Sequence, residues 1–183
     1  MSAKDTVQQY DHVIQQCQKI FEAKTKDYGT AWRVLRTISV VDQIYIKALR
    51  IRTIQEKKQQ KVEDNIAGEF IGIINYAIIG NIQLLLPADA PEELPVEDAL
   101  HFYNEQSEAA KRLMLDKNHD YGEAWRNMSQ ESFVDLILMK LQRIRQIISN
   151  DGKTLISEGI DANFFDILNY AVFALILMNE REP

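Results

Sequence analysis

The chain alternates long amphipathic stretches with two almost wholly apolar ones, and no run shows the strict two-residue alternation of a half-buried strand. Apolar positions recur at helical spacing over Ala3 to Ala23, Ser39 to Lys58 and Glu63 to Leu86, and again over Val96 to Asp116, Ser129 to Ile148 and Ser157 to Met178. Pro95 ahead of Val96 and Ser129 ahead of its apolar run are suited to helix entry and capping. The pattern therefore predicts an all-α fold of six helices in two sets of three.

The two sets are copies. "KTKDYGTAWR" from Lys24 returns as "KNHDYGEAWR" from Lys117, Tyr10 aligns with Tyr103, and Val41-Asp42 with Val134-Asp135. Lys47, Arg50 and Arg52 align with Lys140, Arg143 and Arg145 and, after one inserted residue, "NYA" at Asn75 aligns with "NYA" at Asn169. Order kept across both halves identifies an internal duplication. Between the copies, "PADAPEELP" cannot continue a helix and reads as a linker over 87–95, leaving 1–86 and 96–183 as three-helix repeats. Exposing two apolar third helices would forfeit about 25 cal/mol for each Å². The repeats are thus expected to pack as a pseudo-two-fold bundle, a monomer that stands in for a homodimer, or a homodimer of such units.

Composition narrows the class. A net charge of −6 argues against general nucleic-acid binding, which needs clustered Lys and Arg. The apolar runs from Phe70 and Phe164 fall short of the roughly 20 residues of a bilayer span and contain Asn or Asp, so core helices and no membrane partner are expected. Cys17 is the lone cysteine and the first residues lack the apolar run of a secretory signal, which points to the cytoplasm.

Candidate chemistry gathers in the second copy. On the last helix Glu158, Asp161, Asp166 and Asn169 share one stripe, and on the helix before it Glu131 and Asp135 lie four apart, with Lys140 and Arg143 on an adjacent face. Converging carboxylates lose hydration and repel unless a hard cation such as Mg²⁺ joins them, and Mg²⁺ is usually completed by substrate phosphates, which Lys140 and Arg143 would meet. The same spacing also fits a solvated face and ordinary charges at helix ends, so both readings stand. The first copy has Ile38, Ala67 and Gly72 where the second has Glu131, Asp161 and Asp166, which confines such a site to the second copy and leaves the first as scaffold. Asp120, Tyr121, Trp125 and Arg126 read either as a turn between helices or as a loop facing a nucleotide, since aromatic rings stack on bases and Arg grips phosphates.

The ordered set Lys-x-x-Asp-Tyr-Gly-x-x-Trp-Arg, Lys140-x-x-Arg143 and Asp166-x-x-Asn169-Tyr170 resembles the bacterial and phage nucleotide modification associated domain family, in two tandem copies. That resemblance implies a nucleotide or modified nucleotide as partner. Glu131 with Asp135, and Glu158-Gly-Ile-Asp161, are similar in outline to the acidic pairs of the all-α nucleoside triphosphate pyrophosphohydrolases, the MazG and dimeric dUTPase group. That second likeness implies an Mg²⁺-dependent hydrolase with those four carboxylates on the metal. Asp120, Tyr121, Trp125, Arg126, Lys140, Arg143, Asp166 and Asn169 would then form the nucleotide pocket. A nucleotide-binding module without turnover, or an assembly protein, is the alternative.

Overall fold

A computed structural model describes residues 3–57 and 65–181. Its helices are α1 (Ala3–Tyr28), α2 (Thr37–Lys57), α3 (Asn65–Leu85), α4 (Val96–Tyr121), α5 (Gln130–Ser149) and α6 (Ile160–Arg181), with 3₁₀ turns at Ala31–Val34 and Ala124–Asn127. No strand occurs among the described residues. The expected helix end at Lys58 and start at Glu63 lie outside them.

The third and fourth connections follow the sequence closely. Ser129 caps α5, its Oγ accepting from the Ser132 amide at 3.1 Å, and α4 begins directly after Pro95. The first helix of each repeat, however, continues through Asp-Tyr, five residues beyond the expected ends at Ala23 and Asp116. The turn is made by the following glycine, Gly29 at φ 71° and Gly122 at φ 65°, a conformation open to residues without a Cβ. A polar last turn carries no apolar periodicity, and so the pattern of apolar positions stops before the helix does.

Packing follows the duplication. α3 and α6 cross at the centre, α2 lies against α5, and each third helix packs on the second helix of its own repeat. α1 reaches across to α6, and α4 to α3 in the same way, so an approximate two-fold axis relates the repeats. The central crossing is close at Gly80, where an added Cβ would lie 2.8 Å from the Phe164 ring. Gly80→Ala is expected to lower stability by about 1–3 kcal/mol through overpacking, read as a shifted denaturant midpoint. An unchanged midpoint would show that the crossing yields freely.

The repeats exchange polar bonds as well. Tyr10 Oη donates to Asn169 Oδ1 at 2.6 Å, and Tyr103 Oη to Asn75 Oδ1 at 2.8 Å. Each Asn then donates to the first helix of its own repeat, Asn169 to the Ala110 carbonyl and Asn75 to the Cys17 carbonyl, both at 3.1 Å. All four side chains are buried, and burial pushes both phenols well above their ordinary pKa and the Cys17 thiol up to about 12. On the flank, Arg52 pairs with Asp135 at 2.6 Å and Arg145 with Asp42 at 3.0 Å, again reciprocally. Being part-exposed, these pairs fix register more than they stabilise.

α3 and α6 prove long and apolar enough to cross a membrane, because each extends past the apolar run that the sequence marks. In this fold 56% and 72% of their most apolar windows are buried inside the bundle. Their apolar character is that of core helices.

Candidate functional site

The repeated Trp-Arg is structural in both copies. Trp125 stacks flat on Phe173 at 4.3 Å, Arg126 lies over the other side of its ring at 4.4 Å, and the guanidinium reaches Glu123, Glu180, Thr6 and Gln9. Arg33 instead holds Gln83 and the Ala90 and Pro91 carbonyls, and Thr30 bonds the Glu92 carbonyl and the Leu94 amide, which docks the linker on the first repeat. Of the loop that reads either as a turn or as facing a nucleotide, Trp125 and Arg126 are engaged in packing, while Asp120 and Tyr121 end α4 exposed to solvent.

The stripe on α6 divides in the same manner. Asp161 and Glu158 are exposed, but Asp166 and Asn169 are buried, Asn169 within the network that Tyr10 closes. Sequence periodicity sees only the angle of a side chain around its helix, and here α4 covers half of that polar stripe. Glu131 is exposed in the first turn of α5, and Asp135 is engaged by Arg52. Among the described residues no group of three or more His, Cys, Asp or Glu side chains is close enough to hold a metal ion. Glu131, Asp135, Glu158 and Asp161 thus do not come together as one cluster of carboxylates in this structure.

What the second repeat does assemble is a cation cluster on a buried acid. Asp166, 6% exposed, receives Lys117 Nζ at 2.7 Å on one oxygen and Lys140 Nζ at 2.9 Å on the other. For Lys117 burial lowers the pKa, but the Asp166 hydrogen bond and charge, aided by Tyr170 and Glu158, outweigh it and raise the value overall. Tyr170 is raised by burial and then by Asp166, with Lys117 and Arg143 pulling it down. Lys117 and Lys140 thus meet on Asp166, and Tyr170, Glu158 and Arg143 are near enough for their charges to be felt there. Lys117 is the member that sequence reasoning left out, although its recurrence at Lys24 marked it.

Arg143 is the cation left over. Its guanidinium meets no acid among the described residues, only the Met139 sulfur at 4.0 Å. With Lys140, Glu158 and Asn163 it lines an open groove of about 1250 Å³, walled by the end of α5 and residues 149–158. Lys153 adds charge to the wall, and Ile147, Leu155 and Ile156 add apolar surface, the last two fully exposed.

The same cations recur in the first repeat as Lys24, Lys47 and Arg50. Their carboxylate sits one turn earlier, on Glu69 rather than at Gly72, the counterpart of Asp166. Comparison with family models matches the chain twice, over residues 24–84 and 117–178, to the nucleotide modification associated domain 1. The chain belongs to that family. No curated protein and no solved structure matches it. Both segments of the nucleotide modification associated domain run from the Lys of Lys-x-x-Asp-Tyr-Gly into the third helix, so they include the cations and the residue that neutralises them.

Proposed function

We propose that the second repeat is a nucleotide-binding module. Phosphates sit on Arg143 beside the Lys140 ammonium, and the base lies against the apolar wall of the groove. The observation that carries this reading is the unneutralised Arg143 in the wall of a groove large enough for a nucleotide, next to a lysine whose position Asp166 fixes. Membership of a family associated with nucleotide modification supports the ligand class. Asp166 holds Lys140 in place and leaves Arg143 free to bind in bidentate fashion. The exposed Leu155 and Ile156 supply apolar surface that a base would cover.

The test is titration of the full chain with ribo- and deoxynucleoside triphosphates, with and without Mg²⁺, followed by chromatography of the mixtures. Saturable binding is expected, weakened about tenfold or more by Arg143→Ala, since a charged hydrogen bond is worth about 1.5–3 kcal/mol. Absence of binding across the panel overturns the proposal. Monophosphate and pyrophosphate formed only with Mg²⁺, and lost in Asp161→Ala, would replace it with a metal-dependent hydrolase.

A further inference from the structure

The first repeat has its own cavity, and its walls are the counterparts of the cluster that Asp166 closes in the second. Lys24, Tyr28, Trp32, Lys47, Gly72 and Tyr76 line about 310 Å³ between α1, α2 and α3. Where the second repeat has Asp166, Gly72 leaves the space to Lys47, whose Cε lies 2.8 Å from where a Cβ would be. The repeat's carboxylate, Glu69, is drawn to Arg50 at 2.9 Å and meets Lys47 only at 3.6 Å. Lys24 forms no ion pair among the described residues. The Glu93 carboxylate rests over Gly29, another residue of the wall, and pairs with neither lysine.

A second observation is independent of charge. Trp32, 9% exposed, has a buried indole N–H with no acceptor, whereas its counterpart Trp125 donates to Asn118 at 3.3 Å. Position 25, matching Asn118, holds Thr25, whose hydroxyl is committed to the Phe21 carbonyl at 2.7 Å. Two ammonium groups of the cavity wall therefore have less than one carboxylate between them, and Trp32, another residue of the wall, carries a buried donor that lacks its acceptor. The first repeat lacks a carboxylate at the place that the second repeat fills with Asp166, and an anion from solution would supply the missing charge.

We infer that the first repeat is a second, smaller binding site for a phosphate monoester, held by Lys24 and Lys47, with Tyr28 and Tyr76 flanking the group it esterifies. The volume lies at the lower end for small-molecule sites and suits a phosphate bearing at most one nucleoside. This does not depend on the reading of the second repeat. Tyr28, mostly exposed at the mouth, offers a ring for a planar group, and Lys47 lies 5.9 Å from the centre of the Tyr76 ring.

The test uses the full chain and three probes: inorganic phosphate, uridine 5′-monophosphate and adenosine 5′-monophosphate. Calorimetry gives affinity, and the two Trp indole N–H resonances, assigned with Trp32→Phe, give location. Saturable binding that moves the Trp32 resonance is expected, tighter for the nucleoside monophosphates if the rings contribute and equal for all three if phosphate alone is read. Lys24→Ala should weaken it about tenfold or more. Gly72→Asp, which installs the second repeat's carboxylate between the lysines, should abolish it, with the thermal midpoint confirming that the variant folds. The shift of the Trp32 resonance should persist in Arg143→Ala, whatever that variant does to the total heat, which separates this site from the groove of the second repeat. Binding undiminished in Gly72→Asp, or a Trp32 resonance unmoved by saturating amounts of all three probes, would overturn the inference.

Discussion

Asp166→Ala is expected to lower the stability of the chain by about 3 kcal/mol, and adding Asn163→Glu to return part of that loss. The figure is the lower end of the range for breaking a buried ion pair by removing one partner. Lys140, only 11% exposed, would be left without its carboxylate, whereas Lys117 is 47% exposed and turns to water. Position 163 corresponds to Glu69, so the second substitution gives the second repeat the first repeat's arrangement, with a carboxylate one turn earlier between Lys140 and Arg143. Denaturant melts of the single and double variants measure both steps. Equal stability of wild type and Asp166→Ala would mean that Lys140 is hydrated through the groove. The pH sign follows from Lys117, whose pKa is raised in the folded chain. Its contribution is complete below the ordinary lysine value and lost as pH rises through the folded one. The gap between wild type and Asp166→Ala should therefore narrow at strongly alkaline pH.

Asn169→Leu should cost more than a surface change of the same size by a wide margin, about 2–5 kcal/mol. It removes the acceptor of the Tyr10 hydroxyl, deep in the bundle, and such an orphaned group costs about 1–3 kcal/mol, while the Ala110 carbonyl loses the Asn169 amide but keeps its bond within α4. The extra bulk adds strain in a core already closely packed. Tyr10→Phe in the Asn169→Leu background is the informative partner. With the phenol gone one orphan disappears, so the double variant is expected to be more stable than Asn169→Leu alone. Additive losses would show that Tyr10 finds water when Asn169 is replaced.

The fold was legible because its determinants are local and doubled. Ser129 and Pro95 announce helix starts through their own chemistry, and each ambiguous stretch is written twice. The extension of α1 and α4 through Asp-Tyr was not legible, since a polar helix end carries no apolar rhythm. For the site, Lys140 and Asp166 meet between α5 and α6, and Glu158, which precedes α6, shares the groove with Arg143. Asp135 was misleading because its partner, Arg52, lies in the other repeat, and no spacing within one copy reveals a bond to its twin. The buried state of Asn169 was hidden for the same reason. The first repeat's cavity was concealed by reading Gly72 as a missing ligand, when the absence of a side chain there also lets Lys47 lie against the wall.

The crossed Tyr–Asn bonds make each repeat complete the interior of the other, as two separate identical chains would have to do. In such a pair of chains every codon change strikes both pockets at once. Moving the acid from one helical turn to the next would then alter two sites or none. Joining the copies end to end by residues 87–95 keeps their mutual dependence for folding and ends their shared inheritance at the pockets. One pocket is then free to keep its acid and the other to lose it, within a single polypeptide.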